Sequence, residues 1–453
     1  MAAMMLAVAP ASFAATPPPL AGAHSLEGGQ GAWPADSWWQ AYGDAQLSGL
    51  IAQGLAGASD LRVAEARFAA AAAVAGGAKG ALMPTISGSG GAGLAKQSYN
   101  YLFPAAFAPK GWRETGQVGL NLSWEIDFWG KNRAALRAAR QDAQAAGAEA
   151  AAARLAVSTG IAGAYAELAA TYAEQDAATE AMKLREQTLA LVVQRRDQGL
   201  ENDGAVARAR SNLATAQSEV AALDEQLALG RYRLAALMGQ GPDAARAIGR
   251  PSTAALVSAG LPADIPAQLL GRRPDIVAAR ARAQAAAERI KVAKAAFYPN
   301  INLSGLIGLQ ALGLSHVFQS GSDYGSVGPA INLPIFDGGQ LAARKTGAQA
   351  DYAVAVAQYD GALVNALHEI ADAATSRKAL SLRLSRAQEA EQAAKAAWQV
   401  ATNRYRGGLG TALDVLVAED SLIATRRATA ALQTRAFALD VALVRALGGG
   451  FQA

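Results

Sequence analysis

The sequence predicts a mainly α protein with a small β part, built from a duplicated half-domain in which long antiparallel coiled-coil helices join a pair of strands. Three observations predict it: an internal repeat, two long proline-free intervals, and short stretches of apolar–polar alternation. The repeat sets the frame. Residues 118–239 overlay residues 327–448 at an offset of 209: Val118-Gly119 meets Val327-Gly328, Gly130 meets Gly339, Gly199-Leu200 meets Gly408-Leu409, and Met238-Gly239 meets Leu447-Gly448. Upstream the offset is 215, with Asp60 on Asp275, Arg67 on Arg282, Pro84 on Pro299 and Ile86 on Ile301. The offset changes between the two strands of each copy, where a hairpin loop varies freely. Such copies far exceed the roughly 20–50-residue period of solenoid repeats.

The elements follow in chain order. Residues 1–14 read as a signal peptide: a short apolar run, then the small-x-small pattern Ser12-Phe13-Ala14, then the turn-rich Thr16-Pro17-Pro18-Pro19. No Lys or Arg precedes that run, which points to a start further upstream. A flexible segment, 15–37, leads to the first repeat, 38–238. It is expected to hold strands at 85–94 and 116–124 and helices at 131–198 and 205–238. The linker 239–274 carries five of the sixteen prolines, so it cannot be one helix and should wrap the helical bundle near mid-height. The second repeat, 275–448, should hold strands at 300–309 and 326–335 and helices at 340–406 and 412–447, before a tail at 449–453.

The helices are read from proline. None occurs between Pro109 and Pro242 or after Pro334, and an interior proline costs a helix about 3 kcal/mol. Uninterrupted, each longer helix extends ~100 Å at ~1.5 Å per residue. Leu409, Leu416, Ile423, Ala430, Phe437 and Val444 recur every seven residues, as do Val356, Leu363 and Ile370, the period of left-handed coiled-coil packing. An intramolecular helical hairpin satisfies those heptads equally well. Glycines at 199, 204, 407, 408 and 410 mark two helix–turn–helix tips.

The strands are read from alternation. Val118, Leu120, Leu122 and Trp124 share one face, and Ile301, Leu303, Ile307 and Leu309 another; Val327, Ile331, Leu333 and Ile335 share a third. The first strand is Gly-rich and weakly patterned. About ten residues of such alternation is the length of a membrane β-strand, although a half-buried soluble strand alternates in the same way. The hairpin loops 95–116 and 310–325 flank these strands, and the first holds Tyr99, Tyr101, Phe103, Phe107 and Trp112, aromatics suited to a membrane interface. As a membrane wall, four strands could not close a barrel of about eight or more, so the chain would be an obligate oligomer.

Composition narrows the chemistry. With no cysteine the chain has no disulfide, thiolate metal site or lipidated N-terminal cysteine. The net charge of +4 is spread among alternating signs, against nucleic-acid binding. Gly88 to Gly93 fits G-x-G-x-x-G, but a loop follows instead of the helix that a dinucleotide site requires. The sequons at Asn121 and Asn302 fall inside strands. His24, His316 and His368 make no ligand spacing. No cofactor is expected, and nothing is arranged for catalysis.

The motifs carry a family likeness. Trp38-Trp39-Gln40-Ala41-Tyr42-Gly43-Asp44-Ala45-Gln46-Leu47, Ser123-Trp124-Glu125-Ile126-Asp127-Phe128-Trp129-Gly130-Lys131 and Leu269-Leu270-Gly271-Arg272-Arg273-Pro274-Asp275-Ile276 are similar to signatures of the TolC-like outer-membrane efflux channels, of the NodT/OprM type that serves RND pumps. Phe297-Tyr298-Pro299-Asn300-Ile301 and Leu333-Pro334-Ile335-Phe336-Asp337-Gly338-Gly339 resemble the family's strand-end motifs, so the likeness runs from Trp38 to Gly448. The resemblance implies a homotrimer whose four transmembrane strands per chain complete a 12-stranded barrel in outer-membrane lipid, above a periplasmic α-helical tunnel. It implies a passive exit duct for small molecules such as drugs or toxic compounds. The implied partners are a periplasmic adaptor (membrane fusion) protein and an inner-membrane RND pump. A periplasmic adaptor or a poreless coiled-coil scaffold is the competing reading; the first would need one hairpin flanked by lipoyl-like and β-barrel modules.

The resemblance also implies that the tunnel narrows at the tips. Arg404-Tyr405-Arg406-Gly407-Gly408 matches the family's R-Y-x-x-G stretch, and Leu413 an apolar constricting position. The aspartate usual before Ala-Gln is Val417 here, before Ala418-Glu419. Asp414 and Asp203 are therefore the expected substitutes, holding contacts with Arg404 or Tyr405; first-turn capping is the alternative role for both. Arg280 stands where relatives carry glutamate. Asp60 and Asp275 are read as first-turn helix signals, and Arg272-Arg273 as a salt-bridge partner near mid-height.

Overall fold

The computed structural model describes residues 32–100, 106–107, 109–252 and 271–452. The signal-peptide reading, Tyr101, Phe103, His24 and most of the linker lie outside the described residues. In order the elements are α1 (Ala45–Gly57), α2 (Ser59–Gly80), β1 (Thr85–Ala95), β2 (Arg113–Glu125), α3 (Lys131–Asp197), α4 (Asp203–Leu237), α5 (Pro274–Ala295), β3 (Asn300–Leu312), β4 (Asp323–Asn332), α6 (Gln340–Arg406) and α7 (Ala412–Ala446). Helices α3 and α6 each hold 67 residues, and α4 and α7 each hold 35. The repeat is kept residue for residue: Lys131 and Asp197 bound α3 as Gln340 and Arg406, 209 further on, bound α6. Asp60 and Asp275 both lie in first turns, where a negative charge meets the helix dipole.

By packing, the described residues fall into two units, one drawn from those within Glu65–Gly147 and Ala278–Tyr359, the other from those within Met1–Ala64, Ala148–Val277 and Asp360–Ala453.

The first unit holds a four-stranded antiparallel sheet in the order β1-β2-β3-β4. Its register gathers the alternating residues onto one face. Ile86 pairs with Leu122, Leu120 with Ile307, Trp124 with Leu303, and Ile301 with Ile331. Ser87 pairs with Asn121, and Ser123 with Ser304, on the opposite face, where the Asn121 amide donates to Ser89 at 3.0 Å. The Gly-rich β1, weak as a pattern, is thus placed by its partner. Ile86, Leu120, Ile307, Val327 and Ile331 stay exposed in the single chain, an apolar sheet face with no cover.

The fourth strand departs from the 326–335 pattern. It begins at Asp323, paired with Leu309, and ends at Asn332. Pro334 has no N–H for a ladder and restricts Leu333 before it, so Leu333 and Ile335 fall in the connection. Pro329 is tolerated within β4 because β4 is an edge strand. The hairpin loops are accordingly shorter than the alternation suggests, 96–112 and 313–322.

Each sheet exit enters its helix through a carboxylate. Asp127 accepts from the N–H groups of Asn132 at 3.0 Å and Arg133 at 2.9 Å, which holds its pKa below the usual carboxylate value even though burial pushes it up. Asp337 does the same for Gly339 and Leu341. Trp129 stacks on Tyr298 at 4.6 Å and donates its indole N–H to the Pro299 carbonyl at 2.9 Å.

The second unit is helical, with an aromatic core. The Trp-Trp motif lies in a 3-10 turn, Trp38–Tyr42, whose rings are buried with Leu47, Ile51, Ile161, Tyr165 and Phe437. Tyr42 meets Phe437 edge-on at 5.0 Å and donates to Asp440 at 2.7 Å; Tyr165 donates to Asp44 at 2.7 Å. Asp44 also caps α1 through the Leu47 N–H at 3.0 Å. Burial, then the facing carboxylates, raises both phenol pKa values. Arg273 is buried and pairs with Asp275 at 2.6 Å and Glu369 at 2.7 Å, while Arg272 lies over Trp33. Of the α7 heptad, Leu416, Ile423, Phe437 and Val444 are buried, Ala430 is half-buried, and Leu409 is exposed in the turn. No helix among the described residues is long and apolar enough to cross a membrane.

Candidate functional site

The chemistry-bearing residues converge where α3 turns into α4 and α6 into α7. Both turns are built alike. Leu200 N–H reaches back to Arg195 at 2.9 Å and Gly199 N–H to Arg196 at 2.8 Å; Leu409 reaches Arg404 at 2.8 Å and Gly408 reaches Tyr405 at 3.1 Å. These are Schellman closures, which need a left-handed residue. Gly199 at φ +75 and Gly408 at φ +76 supply it. The next helices start on side-chain caps: Asn202 accepts from Ala205 N–H at 2.9 Å, and Thr411 from Asp414 N–H at 3.2 Å.

Tyr405 joins the two tips. Its ring is 1% exposed and packs with Val192, Ala205, Val206, Ala412 and Val415. Its hydroxyl donates to Glu201 at 3.0 Å. The Arg195 guanidinium lies 4.6 Å from the ring centroid and donates to the Tyr405 carbonyl at 2.8 Å. Burial first, and Glu201 second, push the phenol up to about 12, so it stays a neutral donor at physiological pH. Neither Glu201 nor Arg195 was legible as a motif. The repeat does point at Arg195, because 195 plus 209 is 404, the arginine of the R-Y-x-x-G stretch.

The structure places the other expected residues around this contact. Asp414 accepts from the Thr411 N–H at 2.8 Å and hydroxyl at 2.9 Å, completing a capping box; the Thr411 N–H is the main cause of its lowered pKa. Asp203 lies 3.8 Å from Arg196, which also pairs with Asp197 at 2.5 Å. Arg404 donates to the Leu409 carbonyl at 3.3 Å. Within one chain, then, Tyr405 is engaged by Glu201 and Arg195, and the two aspartates sit at helix starts. Leu413 is 53% exposed and Val417, four residues on, 61%, so both share the uncovered side of α7. The arrangement can close on itself or on another surface; among the described residues no group of His, Asp and Glu could hold a metal ion.

Known proteins share this architecture. The family described as "Outer membrane efflux protein" matches residues 50–240 and 265–449. The fusaric acid resistance protein FusA of Burkholderia cepacia is 39% identical over 327 residues, covering 70% of this chain and 60% of that protein's length. The multidrug resistance outer membrane protein MdtP of Shigella flexneri is 29% identical over 428 residues, covering 93% of this chain and 88% of the relative. The crystal structure of the outer membrane protein VceC of Vibrio cholerae superposes with a TM-score of 0.88 at 47% identity, over 93% of this chain and all of that one.

Proposed function

Because the chain belongs to the outer membrane efflux protein family, and so is an outer-membrane exit duct for efflux, we propose that three copies build one duct that is shut at rest by its helical tips. The sheet carries this reading. Its apolar face is uncovered, its edge strands β1 and β4 have no further partner among the described residues, and four strands cannot close. Pairing β4 of one copy with β1 of the next would satisfy both edges apart from Pro329, which has no N–H to donate, and three copies make twelve strands. The apolar face then meets lipid and the Asn/Ser/Gly face lines the lumen, as in membrane barrels.

The same reading gives the helices their work. Six helical hairpins, two from each of three copies, would surround the tunnel. Their tips would meet a periplasmic adaptor, and an inner-membrane RND pump would drive small molecules, drugs or toxic compounds among them, into the duct. The chain supplies a path and no chemistry. Tyr405, Arg404, Asp414 and Asp203 hold the turns, while Leu413 projects from them toward the narrowing. Mild-detergent extraction of outer membranes, followed by measurement of the particle mass, tests the assembly. A trimer supports the shared barrel; a soluble monomer or dimer overturns it.

A further inference from the structure

The start of α7 carries one residue that its pattern does not explain. Ala412, Val415, Leu416, Leu422 and Ile423 form its buried face, and Glu419 lies in the same stripe at 0% exposure. An acid there is costly unless it is paired. Two polar groups on α3 face it. The Thr188 hydroxyl donates to one Glu419 carboxylate oxygen. The other oxygen has no hydrogen bond and lies 3.8 Å from Arg185 Nε, itself a buried nitrogen without a partner. Arg185 spends its remaining donors on two helices: one on the Asn212 carbonyl of α4 at 2.7 Å, one on Asp420 of α7 at 3.1 Å. A single guanidinium thus ties α3, α4 and α7 together near the tips.

We propose that Arg185, Thr188 and Glu419 form a buried clamp that positions the start of α7, and with it Leu413 and Val417, and thereby sets the resting aperture of the duct. The inference rests on the duct reading above and adds positioning residues to it. Val417 and Glu419 differ by two positions, about 200° around a helix, so the clamp grips α7 on the side away from its exposed face. Swinging α7 off α3 would strip Glu419 of its hydroxyl donor and of its facing cation together. The charged groups set against Glu419 are Arg185 from α3 and Asp420 from its own helix. From α6 come apolar side chains, Ala394 and Trp398, packed on Leu422. Burial is the main reason that the Glu419 pKa lies above its usual value.

The test is single-channel conductance of purified full-length protein in planar bilayers, at neutral and mildly acidic pH. Arg185→Met leaves an uncompensated buried carboxylate. Its resting conductance should rise about tenfold at neutral pH and fall toward wild type as acid protonates Glu419. The double variant Arg185→Met/Glu419→Leu has no titrating group in the seam, so its conductance should fall below that of Arg185→Met and be the same at both pH values. Glu419→Gln keeps the shape and loses the charge; it should leak a few-fold at neutral pH and hardly change in acid. Arg185→Met and Glu419→Gln channels indistinguishable from wild type would overturn the clamp. So would a leak that persists in acid and in the double variant, since that marks general disruption. Should Arg185→Met fail to assemble, Glu419→Gln decides alone. Failure of the wild type and of every variant alike to conduct would overturn the duct reading, and the clamp with it.

Discussion

Removing one oxygen from Tyr405 isolates the contact between the tips. Tyr405→Phe keeps the buried ring and the Arg195 guanidinium over it, and deletes only the 3.0 Å hydrogen bond to Glu201. A hydrogen bond to a charged group contributes about 1.5–3 kcal/mol net. Glu201 is only half-buried, so water replaces part of that, and ~1 kcal/mol per chain is the appropriate figure. Three chains opening together would sum to ~3 kcal/mol, a shift of roughly a hundredfold in the open-to-shut ratio at about 1.4 kcal/mol per tenfold. Two assays read this: resting conductance in planar bilayers, and sensitivity of expressing cells to a bulky antibiotic that a shut duct excludes. Both should rise, with trimer yield unchanged. Tyr405→Ala is a poorer probe, because emptying a buried aromatic site costs about 3–5 kcal/mol and disturbs the whole tip. If Tyr405→Phe matches wild type in both assays while Tyr405→Ala leaks, ring packing closes the tips and the hydroxyl argument is refuted.

Three further outcomes are expected. The Tyr405 phenol is raised above its unfolded value of about 10, so its contribution should be complete below that pH and vanish as pH climbs through about 12, observable by ultraviolet titration of tyrosinate. Asp414 shows the opposite sign: its lowered pKa means that the α7 cap holds above about pH 4 and is lost as acid titrates the folded carboxylate, which an Asp414→Asn comparison by NMR or hydrogen exchange at the tip would reveal. Gly448→Ala should destabilise the helical unit by about 2–4 kcal/mol, because φ is +89 there and an added Cβ would fall 2.0 Å from the Arg272 carbonyl; thermal melting of the assembled protein checks this.

Much of the fold was legible because its signals are periodic or prohibitive. Proline forbids helix interiors, so its absence marked the intervals that hold α3, α4, α6 and α7, and the turn glycines divided them, with helix ends that fall within two residues of the structure. Alternation located β2 and β3, whereas β1 is Gly-rich and is fixed only by the neighbour it pairs with. The end of β4 was misread because Leu333 and Ile335 continue an apolar rhythm that Pro334 prevents from forming a ladder. At the tips, the turn glycines and Tyr405 were readable, but Glu201 and Arg195 were not. Their partnership with Tyr405 crosses 204 and 210 residues, and local pattern carries no trace of so distant a contact. Glu419 was visible only as the residue after Ala418 where relatives carry glutamine, and nothing local marks its burial.

The contact at Tyr405 has a consequence for how such a chain evolves. Its two sides come from different copies of the duplicated half: Arg195 and Glu201 from one, the tyrosine from the other. A ring of six identical, unfused halves would have to carry both sides of the contact on every member, and could never specialise them. Fusion holds the two versions at one-to-one stoichiometry and in fixed alternation. Each tip is then free to drift so long as its covalent sister drifts to match, which makes the contact an inherited pair and not a surface that each copy must reinvent.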